Sequence, residues 1–550
     1  MARESKVLDS MALCKEYLEK FQQSLDSSNL KSSDKEYFQT IQYVFNNIPE
    51  IILEESGGGL SKSQKGRFHQ IIKSYLAEIQ KFFSEDSAAS PDAIAFGLVG
   101  LTKWVPLMVN FPETRKKLVE RLVSLWSSHE NDQARLNALL VIHKAASAYP
   151  KLLDGLLKKM YTSFGKACRT LSLHTMGTAT FLLNGLVEIF SIDPSKAAPR
   201  AEKCVKQLAS LLQASIKQPT KDSLAKVYSW TFIWSVKFLA RLVATSKSSE
   251  MKSLRGKVFT LIHANLNYNF VPRFYAFHFH LIGAANEICR STAVYFPSVP
   301  FLLQVLRRIV GTATKPETGK PKVYDFTTLC KMPKTEAASR CYLDCAAEEA
   351  LFLIGESLIG FSHSLAYPEL AGPIAAQLRV IEAINKGWKV SKLCGTLAAK
   401  LDQHSQSILE IRIQTENCAP SRISSKHRVE LTSSKDILDQ FHKHTQRVRE
   451  QRRKLVASST ENKTYNEPDF GDSDVEEIAK STKKEAAKLK KSSIEKSSKM
   501  VAVKGIKRKA ATSPDEDDLV DGVRKILAGS KKSRPSQVDD VIEDFDISDF

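Results

Sequence analysis

What this sequence lacks narrows the field first. Alternating apolar and polar runs are nearly absent, which argues against a β-protein. The nine cysteines are an odd number scattered from Cys14 to Cys418, without the spacing of a disulfide framework. The opening MARESKVLDS has no apolar stretch of signal-peptide type, so a reduced compartment, cytosol or nucleus, is expected. The most apolar long window, Trp230 to Ala244, is too short for a bilayer and carries Lys237 and Arg241 inside it, charges that are costly at a membrane centre. No transmembrane helix and no membrane partner are expected.

Catalytic signatures are missing as well. Gly57, Gly58 and Gly59 with Lys62 and Ser63 miss the phosphate-loop spacing, and no apolar strand precedes them. Neither a G-x-S-x-G elbow nor an H-E-x-x-H pair occurs. His278 and His280 lie two apart in a helical pattern, so they point to different sides and do not share a metal. Cys341 and Cys345 stand one turn apart, but no second pair with zinc spacing accompanies them. No catalytic residue, metal ligand, cofactor site or small-molecule substrate is assigned.

Aromatic residues thin out abruptly towards the carboxyl end. All five tryptophans precede residue 458, and beyond it only Tyr465, Phe470, Phe545 and Phe550 remain. Such a segment cannot bury enough apolar surface to offset chain entropy, so 458–550 is expected to be a disordered charged tail. Positive charge is what the chain has in excess. Against 61 acidic side chains stand 80 basic ones, a formal +19, which favours a polyanionic partner.

Before the tail, the apolar pattern is helical. Phe68, Ile71, Ile72, Tyr75, Leu76, Ile79, Phe82 and Phe83 fall on one helical stripe. So do Leu153, Leu156, Leu157, Met160 and Phe164, then Val205, Leu208, Leu212 and Ile216, then Leu370, Ile374, Leu378 and Ile381. Prolines at 91, 112, 150, 194, 219, 272, 297 and 368 mark breaks, because proline suits a first helical turn or the stop before it. Many helices with short breaks predict an all-α fold, an α-solenoid of HEAT/armadillo-like repeats ending in the charged tail. Its expected parts are an N-terminal helical segment over 1–90 with a Gly-rich joint at 54–66, a solenoid core over 91–420, a basic helix over 421–457 and the tail over 458–550. The stretch Gly311 to Pro333 reads as a long loop with an extended patch from Val323 to Leu329, and loops of that length are commonly binding segments.

Three surfaces stand out. Around Trp230 and Trp234 apolar residues encircle a helix on nearly every side, which implies either burial in a deeper layer or cover by another chain. Arg273, Phe274 and Tyr275 supply residue types favoured at interface hot spots. These five are the candidate partner-docking residues. Lys443, Arg447, Arg449, Arg452, Arg453 and Lys454 crowd one helical stretch and form the candidate RNA or partner contact. In the tail, Lys504, Lys507, Arg508 and Lys509 fit a nuclear localisation signal within a run suited to sequence-independent phosphate contact. Ser473 in GDSDVEE and Ser513 before PDEDD lie in contexts suited to an acid-directed or proline-directed kinase.

VYSWTFIWSVKFLARLV (227–243), NFVPRFYAFHFHLIGAANEI (269–288), YFPSVPFLLQVL (295–306), KVYDFTTLCKMPK (322–334) and YPELAGPIAAQLR (367–379), in that order, resemble the nucleolar complex protein 2 family. Residues 166–194 and the basic FHKHTQRVREQRRKL (441–455) are similar too. The resemblance implies a non-enzymatic helical-repeat assembly factor of the large (60S) ribosomal subunit. It implies location in the nucleolus, nucleus and nucleoplasm, with sister nucleolar complex proteins 1 and 3, the pre-60S particle and rRNA as partners. Pre-ribosome maturation and intranuclear transport would then be its work. A nuclear transport or chromatin- and histone-binding helical adaptor is the alternative.

Overall fold

Apolar residues spaced three and four apart fold here into helices that turn those residues inward. The computed structural model describes residues 2–26, 35–56, 62–85, 87, 89–169, 175–312, 322–384, 388–414, 436–458, 475, 478 and 479. Among the described residues are twenty α-helices and no β-strand, so the chain is all-α.

Two compact units divide them. The first contains α1 (Ala2–Asp26), α2 (Lys35–Gln42), α3 (Ile48–Ser56), α4 (Lys62–Phe82), α5 (Pro91–Trp104), α6 (Pro112–Ser128), α7 (Asp132–Ala148), α8 (Leu153–Ala167) and α9 (Met176–Ser191). The boundary at Arg200 falls within α10 (Pro194–Lys217). The second unit holds α11 (Lys221–Val227), α12 (Trp230–Thr245), α13 (Ser249–Leu266), α14 (Tyr275–Thr292), α15 (Val299–Gly311), α16 (Lys334–Ala337), α17 (Arg340–Ile359), α18 (Tyr367–Ile384), α19 (Lys389–Gln414) and α20 (Ile437–Ser458).

The stripes read from the sequence are the buried faces. All eight apolar positions from Phe68 to Phe83 and all five from Leu153 to Phe164 are buried. Two positions depart from their stripes: Ile216 is exposed, one residue before α10 ends, and Leu370 is half-buried near the start of α18. Proline opens α5, α6 and α10, with Ser90 capping α5 by accepting from the Ala93 amide at 3.2 Å. Two helices run through a proline instead, α10 at Pro199 and α18 at Pro373.

In the first unit α5 packs on α7, and Asn137 Nδ2 donates to the Ala95 carbonyl at 2.8 Å. The Pro91–Asn110 stretch is long and apolar enough to cross a membrane by length and composition, yet most of it is buried inside this unit, as in a core helix. Gly100 allows the π-helical turn Tyr43–Asn47 to press against α5. A Cβ there would lie 2.5 Å from the Phe45 Cβ and 2.9 Å from its carbonyl oxygen.

In the second unit α12 packs on α13 and α14, while α17 is contacted by α14, α15, α19 and α20. The loop before α16 forms no strand. It turns at Phe326 and Thr327 and lays Tyr324, Phe326, Leu329, Cys330 and Met332 inward. Residues 313–321 of the long loop lie outside the described residues.

Candidate partner and RNA interface

The apolar girdle of α12 is enclosed by the chain itself. Trp230 and Trp234 are each 4% exposed, and Phe232, Ile233, Val236, Phe238 and Leu239 are buried with them. Ser229 caps the helix by accepting from the Phe232 amide at 3.2 Å. Lys237 places its ammonium 4.8 Å from the centre of the Trp234 ring, and Trp230 meets the ring of His280 at 5.2 Å. An all-round apolar helix needs cover on every side. Here α13 and α14 pack against it.

Phe274 and Tyr275 are buried as well. Tyr228 stacks on Phe274 at 3.9 Å, and Arg273 is half-buried with its guanidinium 5.7 Å from the Phe274 ring. Of the five candidate docking residues, Arg273 alone is more than marginally accessible.

The two histidines of α14 are held by backbone oxygens. Carbonyls only accept, so His278 Nε2 is the donor to Asn265 O at 3.2 Å and Tyr268 O at 3.3 Å. His280 Nε2 donates to Leu329 O at 2.9 Å and thereby fastens the loop to the helix. Burial lowers both histidines, His278 to about 4.

The basic helix α20 splits its cations between two faces. Asp436 accepts from the Asp439 amide at 3.1 Å at its start, and Leu438 is buried in the first turn. From that anchor, Arg449 pairs with Glu349 and Arg452 with Glu348, both of α17. Arg453 lies 4.0 Å from Asp325 of the loop. The Arg449 guanidinium also covers the Phe352 ring at 4.5 Å, with His442 stacked on that ring at 4.8 Å. Lys443, Arg447 and Lys454 are exposed. Lys443 makes one intrahelical pair, 2.5 Å to Asp439.

Burial pushes Glu349 up to about 7, and the neighbouring Asp325 and Glu356 act in the same direction against the opposing pull of Arg449. The acids that receive the arginines were invisible as partners in the sequence. Glu348 and Glu349 stand in RCYLDCAAEEALF, a stretch whose legible signal was its cysteines. Cys341 and Cys345 are half-buried thiols not joined in a disulfide. Among the described residues no group of three or more His, Cys, Asp or Glu has the arrangement of a metal site. Lys504, Lys507, Arg508 and Lys509, Gly57 to Gly59 and nearly all of 458–550 lie outside the described residues.

These features define an all-helical protein that docks its own basic helix by one face and presents the other face's cations to solvent. Residues 151–464 match the model of the Noc2p family, more than half of the chain, and the chain belongs to that family. It is 26% identical over 371 residues to an uncharacterized NOC2 family protein of Schizosaccharomyces pombe, covering 65% of this chain and 52% of that one. It is 24% identical over 309 residues to nucleolar complex protein 2 of Drosophila melanogaster, 56% of this chain and 40% of the relative. Nucleolar complex-associated protein 2 of Arabidopsis thaliana is 22% identical over 342 residues, 62% and 44% of the two chains. The chain thus spans about half the length of these relatives, or less.

Proposed function

We propose that this protein is a non-enzymatic scaffold of large ribosomal subunit biogenesis in the nucleolus and nucleus. Sister nucleolar complex proteins 1 and 3 and precursor rRNA are its partners, and the helices of 91–420 act as a repeat-like platform. Membership of the Noc2p family and the names of the Drosophila and Arabidopsis relatives support the nucleolar role. The observation that carries the RNA contact is the division of α20. With Arg449, Arg452 and Arg453 committed to acids, Lys443, Arg447 and Lys454 are held in fixed positions towards solvent. Cations on a rigid helix meet phosphates without first losing chain entropy, and each neutralised phosphate releases counterions. Lys504, Lys507, Arg508 and Lys509 serve nuclear entry in this reading.

The test replaces the outward cations together, K443Q/R447Q/K454Q, in the full chain. Binding to single-stranded rRNA segments should weaken across sequences, and the slope of log affinity against log salt should fall by about 2. Crosslinking in cells should lose precursor rRNA. Unchanged affinity and slope would remove α20 from the RNA contact. Absence of precursor rRNA from the crosslinks of the unaltered chain would overturn the scaffold reading itself.

A further inference from the structure

Of the three described residues in the acidic stretch that follows α20, one is buried. Ile478 is 7% exposed, and it forms part of the wall of a cavity of about 370 Å³ on the second unit. The floor of that cavity is apolar: Phe274, Tyr275, Ile309, Ala337 and Leu343 are all buried. They come from the turn before α14, from α14 itself, from α15, from α16 and from α17.

The rim has one sign of charge. Arg273, Arg308 and Lys334 line the cavity, and among the described residues no acidic one does. Arg308 and Lys334 are exposed. The sequence around the buried isoleucine is the opposite: Asp472, Asp474, Glu476 and Glu477 fall within the six residues before it. An aliphatic anchor preceded by acids therefore matches an apolar floor ringed by cations, the pairing that fixes orientation in peptide recognition.

We propose that this groove is a docking site for a short acidic peptide with a single aliphatic anchor, and that its resident occupant is the chain's own segment 472–479, seated by Ile478. One anchor and a few rim charges make a weak contact between separate molecules, since exposed ion pairs contribute little. Tethering changes that. Some sixteen residues separate the end of α20 at Ser458 from Val475, and a short flexible tether gives an effective concentration on the order of millimolar. A separate acidic peptide of similar chemistry must then compete with the tethered segment for the groove. This inference goes beyond the scaffold reading and does not depend on RNA.

The test uses the full chain and a labelled synthetic peptide of residues 470–481. The I478D chain, with its groove vacated, should bind the peptide at least about tenfold more tightly than the unaltered chain. Adding R308E and K334E to I478D should abolish that binding, while a peptide carrying I478D should bind no variant. Salt titration of the I478D chain provides a measurement without groove changes, independent of whether the groove variant folds. Its affinity for the peptide should fall several-fold between low and moderate ionic strength. Equal peptide binding by unaltered and I478D chains, or affinity indifferent to salt, would overturn the proposal. Self-association of the unaltered chain that disappears in I478D would place the segment in a second copy's groove and overturn the seating in cis.

Discussion

Arg449 reaches back a hundred residues along the chain to pair with Glu349, and the carboxylate it meets is costly to ionise. The arginine favours the charged form, but burial and the neighbouring Asp325 and Glu356 outweigh it, leaving Glu349 at about 7. The attachment of α20 therefore carries a pH dependence.

For Glu349 the folded value lies above the unfolded one. Its contribution to stability is fully present below the ordinary glutamate range, about 4.3, and is lost as pH rises through about 7. The unaltered chain should lose about 3 kcal/mol from this group over that interval, a slope that E349Q lacks. Denaturant unfolding of both proteins from pH 5 to pH 8 measures it. Parallel curves would show that Glu349 ionises freely. R449M should cost about 3 to 5 kcal/mol at pH 8, because it leaves the buried charge without a partner, and less at pH 5, where Glu349 is protonated.

His278 should act in the opposite sense. Its folded value, about 4, lies below the unfolded value of about 6.5, so stability falls as pH drops from about 6.5 towards 4. The expected loss is about 3 kcal/mol, and His280, also lowered by burial, adds to it. H278Q should be less stable than the unaltered chain at pH 7.5 and should lose less on acidification. Equal acid losses in the two proteins would mean that the ring takes up a proton inside the folded state.

Two glycines in helix interiors should respond in opposite ways to alanine. At Gly100 a Cβ meets the Cβ and backbone of Phe45, so G100A should destabilise by about 1 to 3 kcal/mol despite alanine's better helix propensity. At Gly256 in α13 nothing lies within 4 Å, and G256A should stabilise by up to about 1 kcal/mol. Thermal unfolding of the two variants tests both signs. A stabilised G100A would mean that the turn at Tyr43–Asn47 moves away at little cost.

Much of the helical layout was legible because it is local. The stripe from Phe68 to Phe83 needs only a period of 3.6 to be seen, and burial follows from it. Proline positions located helix starts at 91, 112 and 194 for the same reason. The blocks at 227–243 and 269–288 pointed to the family whose model covers 151–464. What sequence reasoning missed is long-range pairing. Arg449, Arg452 and Arg453 look like their neighbours Arg447 and Lys454 in composition, and only the placement of Glu348, Glu349 and Asp325 separates the two groups. The groove around Ile478 was equally hidden, since its rim cations come from three separate segments and its anchor lies in a stretch dominated by charge. Trp230 and Trp234 left two readings open, and which helices pack on α12, here α13 and α14, is not written in its own pattern.

The pairing of α17 with α20 also bears on the order of synthesis. A chain made from its amino end exposes Glu348 and Glu349 well before the arginines that neutralise them exist, and Phe352 waits equally long for the His442 and Arg449 that cover it. Throughout that interval the nascent second unit carries an uncovered apolar ring beside two solvated acids, a surface open to chaperones and to premature association. Translation past residue 453 ends that interval, so a stop codon only a few codons upstream of Arg449 should yield a helical but adhesive protein rather than a slightly shorter version of the native one.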